Sequence, residues 1–293
     1  MVTSCAGSTS APQHETGLIL LSLSDGARKS AATIGSDPVA VITSTDGTVA
    51  YVADSAPGDV YGVKLPDLKV TWRAHTGGNP FGLLLHDGRL FVSLFSGAAV
   101  VELDPKTGRK MAGHPVKAGP GAVSLDATGR VIVAGTRGEI DYLDGTSVQA
   151  GHGYAVVAVG NDLWSADYER AEIVRAGDLH NVGLPMPMFP FWLAPCSPGS
   201  ILVAAEGADE DRDLGGVFVY EPATDSWTQL ALARDPDQAL VSGDITFVAA
   251  HGDREVLAIN GDSVDKWAQG VPAVALAADK PLGMLVVVAN DHE

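Results

Sequence analysis

Cysteine is nearly absent: Cys5 and Cys196 are the only two in 293 residues, too few and too far apart to staple a disulfide framework. Basic residues are scarce as well, with 19 Lys and Arg against 36 Asp and Glu, a formal charge of −17. That balance excludes a nucleic-acid partner, whose phosphates the chain would repel. It leaves a solvated acidic surface, a basic partner or a bound cation as readings of the charge. No apolar run approaches the roughly 18–20 residues of a membrane span. No amphipathic helix of useful length can be traced either.

What the chain has in quantity is turns, with 34 Gly and 17 Pro. The stretch from Asp37 to Gly78 shows how they are used. Apolar runs at Pro38–Ile42, Thr48–Ala53, Asp59–Leu65 and Lys69–Ala74 are separated by Asp46-Gly47, a Gly/Pro loop and Pro66-Asp67. Gly tolerates positive φ and Pro presets the first turn position, so these dipeptides reverse the chain. Four strands in about 40 residues, each too short for an amphipathic helix, describe one four-stranded antiparallel propeller blade.

The unit recurs. Its second strand returns as Tyr51-Val-Ala-Asp-Ser55, Phe91-Val-Ser-Leu-Phe95, Ile132-Val-Ala-Gly-Thr136 and Leu163-Trp-Ser-Ala-Asp167. Leu202-Val-Ala-Ala-Glu206, Phe247-Val-Ala-Ala-His251 and Val286-Val-Val-Ala-Asn290 complete the series. Apolar, small-residue strands of this kind are expected to be buried on both faces between neighbouring sheets. Gly17–Ile34 holds two strands joined at Ser24–Gly26, and the C-terminal copy holds two more, Pro272–Ala277 and Gly283–Ala289. The halves complement each other. The expected fold is an all-β, seven-bladed propeller over residues 17–293, its ring closed by N-terminal strands that complete the C-terminal blade.

Residues 1–16 stand outside that domain. Val2-Thr3-Ser4-Cys5 has the form of a bacterial lipobox, an aliphatic and two small residues before the cysteine that takes the lipid. Ala6–Thr16 then reads as a polar tether with nothing to bury. The expectation is an extracytoplasmic protein, on the cell surface or in the periplasm, touching a membrane only through lipid on Cys5. The plainer reading is a frayed terminus.

The Tyr51-Val-Ala-Asp motif, the Asp-Gly turn before it and the run from Asn79 to Gly108 resemble the YVTN-type seven-bladed propellers of bacteria. The resemblance covers nearly the whole chain after residue 17, although Ala-Asp stands here in place of Thr-Asn. Such propellers include lactonases, lyases, ligand binders and scaffolds, so the resemblance implies fold more than activity. Related lactonases hold a divalent cation with channel carboxylates and Asn. That implies Asp37, Asn79, Asp235 and Glu206 as a Ca²⁺ or Mg²⁺ ligand set. Streptogramin-type lyases use a His/Glu pair, for which His292-Glu293 is the nearest match.

Aligning the repeats places two rings of residues at the channel mouth. Asp37, Asn79, Gly119, His152, Phe189, Asp235 and Val271 precede the innermost strands. Ser55, Phe95, Thr136, Asp167, Glu206, His251 and Asn290 end the second strands. Mixed carboxylates, imidazoles and aromatics at these positions suit a ligand site; solvated loop ends are the alternative. Two local features compete. Asp209, Asp211 and Asp213 alternate before Gly215 in an acidic loop, which fits a calcium loop or a solvated hairpin. Leu184–Trp192, held extended by three prolines, reads as a connector forming an apolar lid or partner patch. Its Met186 and Met188, with His180, also offer soft ligands for Cu(I).

Linear catalytic signatures are missing. Ser197 follows Pro195-Cys196 rather than an elbow glycine, His14-Glu15 has no second His, and Gly119-Pro120-Gly121 lacks a third glycine. Cys196 reads as an inert buried thiol. The leading expectation is therefore a monomeric, non-enzymatic propeller that binds a small molecule or an extracytoplasmic protein, with Ca²⁺ or Mg²⁺ as the candidate cofactors. The alternative is a Ca²⁺- or Mg²⁺-dependent lactonase, hydrolase or lyase acting at the channel mouth.

Overall fold

The computed structural model describes residues 16–197, 199–209 and 213–291. Cys5, Asp211 and His292-Glu293 lie outside the described residues. The described chain contains strands and turns, without a helix, and forms seven four-stranded antiparallel sheets. In each, strand A lines the central channel and strands B, C and D follow outwards. Blade 1 is Pro38–Thr43, Val49–Asp54, Asp59–Lys64 and Lys69–His75, within a residue or so of the runs read from the sequence. Blades 2 to 6 repeat the order through Trp267.

Blade 7 is composite. Its inner strands are Ala273–Asp279 and Met284–Ala289, and its outer ones are Gly17–Ser22 and Arg28–Ala32. Gly17 pairs with Ala289 and Ser22 with Met284, in an unbroken antiparallel register. Alternation then sends side chains to both neighbours. Leu18 and Leu20 pack with Val41, Val52 and Val63 of blade 1. Ile19 and Leu21 pack with Phe247 and Val256 of blade 6. The core therefore lies between blades, and all four of these side chains are at most 2% exposed.

Close approach is set by glycine where blades 2, 3 and 4 meet. A Cβ on Gly82 would sit 2.6 Å from the Gly121 carbonyl oxygen, and one on Gly121 would sit 2.3 Å from that of Tyr154. Buried Ser93 bridges the seam, accepting from Gly82 N–H at 2.7 Å and donating to Gly121 O at 2.6 Å.

One reading is corrected. Leu184–Trp192 is not a connector throughout, because strand A of blade 5 runs from Phe189 to Pro195. Proline is tolerated there because strand A is the sheet edge facing the channel, where an N–H need not join a ladder. The same reason admits Pro38, Pro80, Pro120 and Pro236 at the first residue of their own inner strands.

Candidate functional site

Those inner strands share an irregularity. In blade 1, Pro38 pairs with Asp54 but Ala40 pairs with Ala53, so Val39 has no partner. In blade 5, Pro190 pairs with Ala205 and Trp192 with Ala204, skipping Phe191. Blade 6 skips Asp237 and blade 7 skips Val274 in the same way. Blades 2 and 3 have equivalent shifts, at Phe81–Gly82 and Gly121–Ala122. These are β-bulges, which release a side chain from the ladder and re-aim it. Val39, Phe81, Phe191, Asp237 and Val274 accordingly line one channel cavity of about 150 Å³, joined by Ala40, Trp192, Gln238 and Ala275. A further cavity of about 190 Å³ continues along the channel past Ile42, Leu83, Val157 and Leu193.

Around the mouth, the two rings read from the sequence are joined by backbone hydrogen bonds. Ser55 donates to Asp37 O at 2.8 Å, Phe95 to Asn79 O at 2.9 Å and Thr136 to Gly119 O at 3.1 Å. His251 donates to Asp235 O at 2.9 Å, and Phe189 pairs with Glu206 across strands. Blades 4 and 7 shift by one residue: Tyr168 donates to His152 O at 3.0 Å and Asn290 to Pro272 O at 2.9 Å. Asn79, Gly119 and Asp235 have φ of 55°, 77° and 46°. This left-handed region is one that Asn, Asp and Gly enter most readily, so the backbone itself accounts for these residue types.

The side chains divide the mouth in two. From blades 2 to 5 comes an arc of six aromatic rings. Phe81 and Phe95 lie 6.2 Å apart, and each meets Tyr154, at 5.9 and 6.0 Å. Tyr154 touches Phe191 at 5.2 Å and Tyr168 at 6.1 Å, and Tyr168 packs on Phe189 at 5.4 Å. Glu206 is buried behind this arc, its Oε2 accepting the Tyr168 hydroxyl at 2.8 Å.

The opposite arc is polar. Asp37 accepts Ala56 N–H at 2.8 Å and the Asn290 amide at 2.9 Å, linking blades 1 and 7. Behind it, Asp54 accepts the Asp37 N–H at 2.6 Å, and burial pushes its carboxyl pKa up. In blade 6, His251 Nδ1 lies 2.8 Å from Asp235 Oδ2 and Nε2 lies 3.1 Å from Asn290 O. A carboxylate and a carbonyl only accept, so both contacts are satisfied together when the ring carries its second proton. The hydrogen bond from Asp235 raises the His251 pKa, outweighing the opposing effect of burial.

Other candidates sit apart. Asp167 is buried and turned into its own loop, accepting Arg170 N–H at 3.1 Å and facing the Arg170 guanidinium at 3.2 Å. His152 lies against Gly138, and Asn79 is tied to Ser55 O and the Ser96 hydroxyl at 3.2 and 2.5 Å. Asp213 N–H donates to Asp209 O at 2.7 Å, and its carboxylate accepts Asp209 N–H at 3.2 Å. Met188 is buried with Ala205 and Phe218, whereas Met186 is exposed and His180 stands by Trp164. Cys196 is half-buried, and burial raises its thiol pKa.

Among the described residues, one group of three His, Cys, Asp or Glu brings its ligand atoms within 4.8 Å: Asp235, Asp237 and His251. Asp37 and Glu206 are not part of it. Protonated, His251 offers this group no lone pair, so a metal there would compete with the proton.

Neither a protein-family model nor a curated protein sequence matches the chain. Solved structures do. A streptogramin B lyase superposes with a TM-score of 0.71 at 13% identity, over 95% of this chain and 99% of that one. The periplasmic gluconolactonase PpgL of Pseudomonas aeruginosa gives 0.64 at 12%, over 87% and 96%. BamB of Moraxella catarrhalis gives 0.56 at 14%, over 95% and 92%. At such identities the likeness is one of fold, and it spans proteins of different activity.

Proposed function

We propose that this seven-bladed propeller is a non-enzymatic binding protein that takes a small molecule into its channel mouth. The bulge ring carries the reading. Side chains released from the ladder wall a cavity that is apolar and aromatic with few polar groups, the usual composition of a ligand pocket. Catalysis is less well supported. Among the described residues, the imidazole beside the cavity is His251, whose two ring nitrogens each face an acceptor, an arrangement that favours the protonated ring over a ready general base.

Filling the cavity tests the reading. Val39→Trp places an indole in the channel; because Val39 also packs against the core between blades 1 and 2, the variant is first checked for an unchanged melting curve. Benzyl alcohol, followed by ligand-observed NMR, should bind saturably to the native protein and at least about tenfold more weakly to the variant, a loss of about 1.4 kcal/mol. Equal binding by both proteins would place the ligand elsewhere. A metal-dependent activity is the second reading, favoured by the Asp235–Asp237–His251 group. A melting temperature that climbs with Ca²⁺ or Mg²⁺ in chelator-stripped protein would put it first.

The proposal extends to place. The Val2–Cys5 run supports a lipid-anchored, extracytoplasmic protein. Expressed from its complete gene, the protein should partition into detergent and Cys5→Ala should not; an unmodified Cys5 in the native mass spectrum would end this part of the reading.

A further inference from the structure

Resting on the channel-mouth reading, we propose that the ligand is a neutral, apolar molecule with an oxygen acceptor, a carbonyl above all, anchored by the Gln238 amide and the Trp192 indole N–H. The two channel cavities share Ala40, Phe81, Trp192 and Gln238, so they meet at these residues. On either side of the junction the wall is mostly apolar, from Val39 and Phe191 to Ile42, Leu83 and Val157. An apolar body suits such walls. Of the other polar side chains, Asp237 faces His251 Nδ1 at 3.9 Å and Ser124 lines only the deeper cavity. No Lys, Arg or His lines either cavity, so a carboxylate ligand would find no counter-charge.

Two donors stand at the junction. Gln238 Oε1 accepts the Leu276 N–H, which fixes the amide and leaves its nitrogen turned away from that bond. Trp192 packs against the core between blades 5 and 6 while lining both cavities, so its indole is held as well. Among the described residues, neither Gln238 Nε2 nor Trp192 Nε1 meets a hydrogen-bond acceptor, and neither is sealed from solvent as Trp164 Nε1 is. The fold brings them together. Each follows the bulge residue of its own inner strand, Phe191 in blade 5 and Asp237 in blade 6. At the same step blades 1 and 7 carry Ala40 and Ala275, whose small side chains leave room in the channel. A ligand without an acceptor would displace water from both N–H groups and leave their bonds unmade. One with a carbonyl at the junction restores them.

The test uses two probes of nearly equal shape, followed by ligand-observed NMR with the full chain: butyrophenone and butylbenzene, a carbonyl in one replacing a methylene in the other. Gln238→Met keeps the length of the side chain but has no N–H, and its melting curve is checked first. In it, the affinity of the ketone relative to the hydrocarbon should fall at least about fivefold. A second readout uses the native protein alone. The infrared carbonyl band of bound, isotope-labelled butyrophenone should lie below its position in hexane, because accepted hydrogen bonds weaken the C=O bond. An unchanged affinity ratio in Gln238→Met, or a native band at the hexane position, would overturn the anchor and leave the channel site standing. Saturable binding of neither probe would overturn both. The native spectrum decides the matter if the variant does not fold.

Discussion

Deleting residues 17–34 should abolish cooperative folding, giving aggregated or largely unfolded chain rather than a six-bladed remnant. Blade 7 would keep two strands, and strand B would become an open edge along the register from Met284 to Ala289. The loss reaches both neighbours, because Leu18 and Leu20 face blade 1 while Ile19 and Leu21 face blade 6. Burial of each such side chain contributes about 1.5–3 kcal/mol, so four of them rival the roughly 5–15 kcal/mol stability of a whole domain. Leu20→Ala gives a graded version, with an expected cost of about 2–5 kcal/mol in chemical denaturation. A truncated protein that melts at the temperature of the full chain would show that the ring does not depend on its composite blade.

Replacing His251 by Ala should destabilise by about 1–3 kcal/mol at pH 6, because it leaves the Asp235 carboxylate and the Asn290 carbonyl without their donor. The effect should shrink as pH rises. His251 has a raised pKa in the folded protein, so the folded state holds its proton more tightly than the unfolded chain does. That stabilisation is fully present below the ordinary histidine value of about 6.5 and is lost as pH rises through the folded value. Melting curves of wild type and His251→Ala should therefore lie farther apart at pH 6 than at pH 9. A constant separation would mean that the ring packs as a neutral group and that its two bonds are not those of an imidazolium.

The parts of the molecule that could be read in advance are those fixed by the repeat period. Strand B copies from Tyr51 to Val286 align because each must be small and apolar between two sheets. The pairing of Asp235 with His251, or of Asn79 with Phe95, follows because hydrogen bonds join the same repeat positions in successive blades. Blade 4 slipped by a residue, since its first strand, Val156–Val159, is short and has no proline to mark its start. Tyr154, at the centre of the aromatic arc, was missed for that reason. Phe81, Phe191 and Asp237 were missed for another. They follow Pro80, Pro190 and Pro236 directly, which is a usable signal, but an extra residue in one strand shows only against its partner's register. The prolines of Leu184–Trp192 misled in the same way, because an inner edge strand accommodates them.

The bulges have a consequence for how such a ring can change. A residue inside the ladder answers to two neighbours at once: its cross-strand partner and the sheet stacked on its face. A residue ejected by a bulge loses its cross-strand partner, and although Val39 and Val274 still pack against the cores beside blade 1, Phe81, Phe191 and Asp237 are outside those cores. At Phe81, Phe191 and Asp237 chemical identity is decoupled from the cores between blades, so exchanging one of them alters the channel wall while those seams stay intact. The molecule thus carries a short adjustable alphabet, dispersed over separate blades along the chain, on a frame whose own spelling is nearly fixed. Mutational drift confined to those positions would re-address the channel to another ligand without passing through an unfolded intermediate.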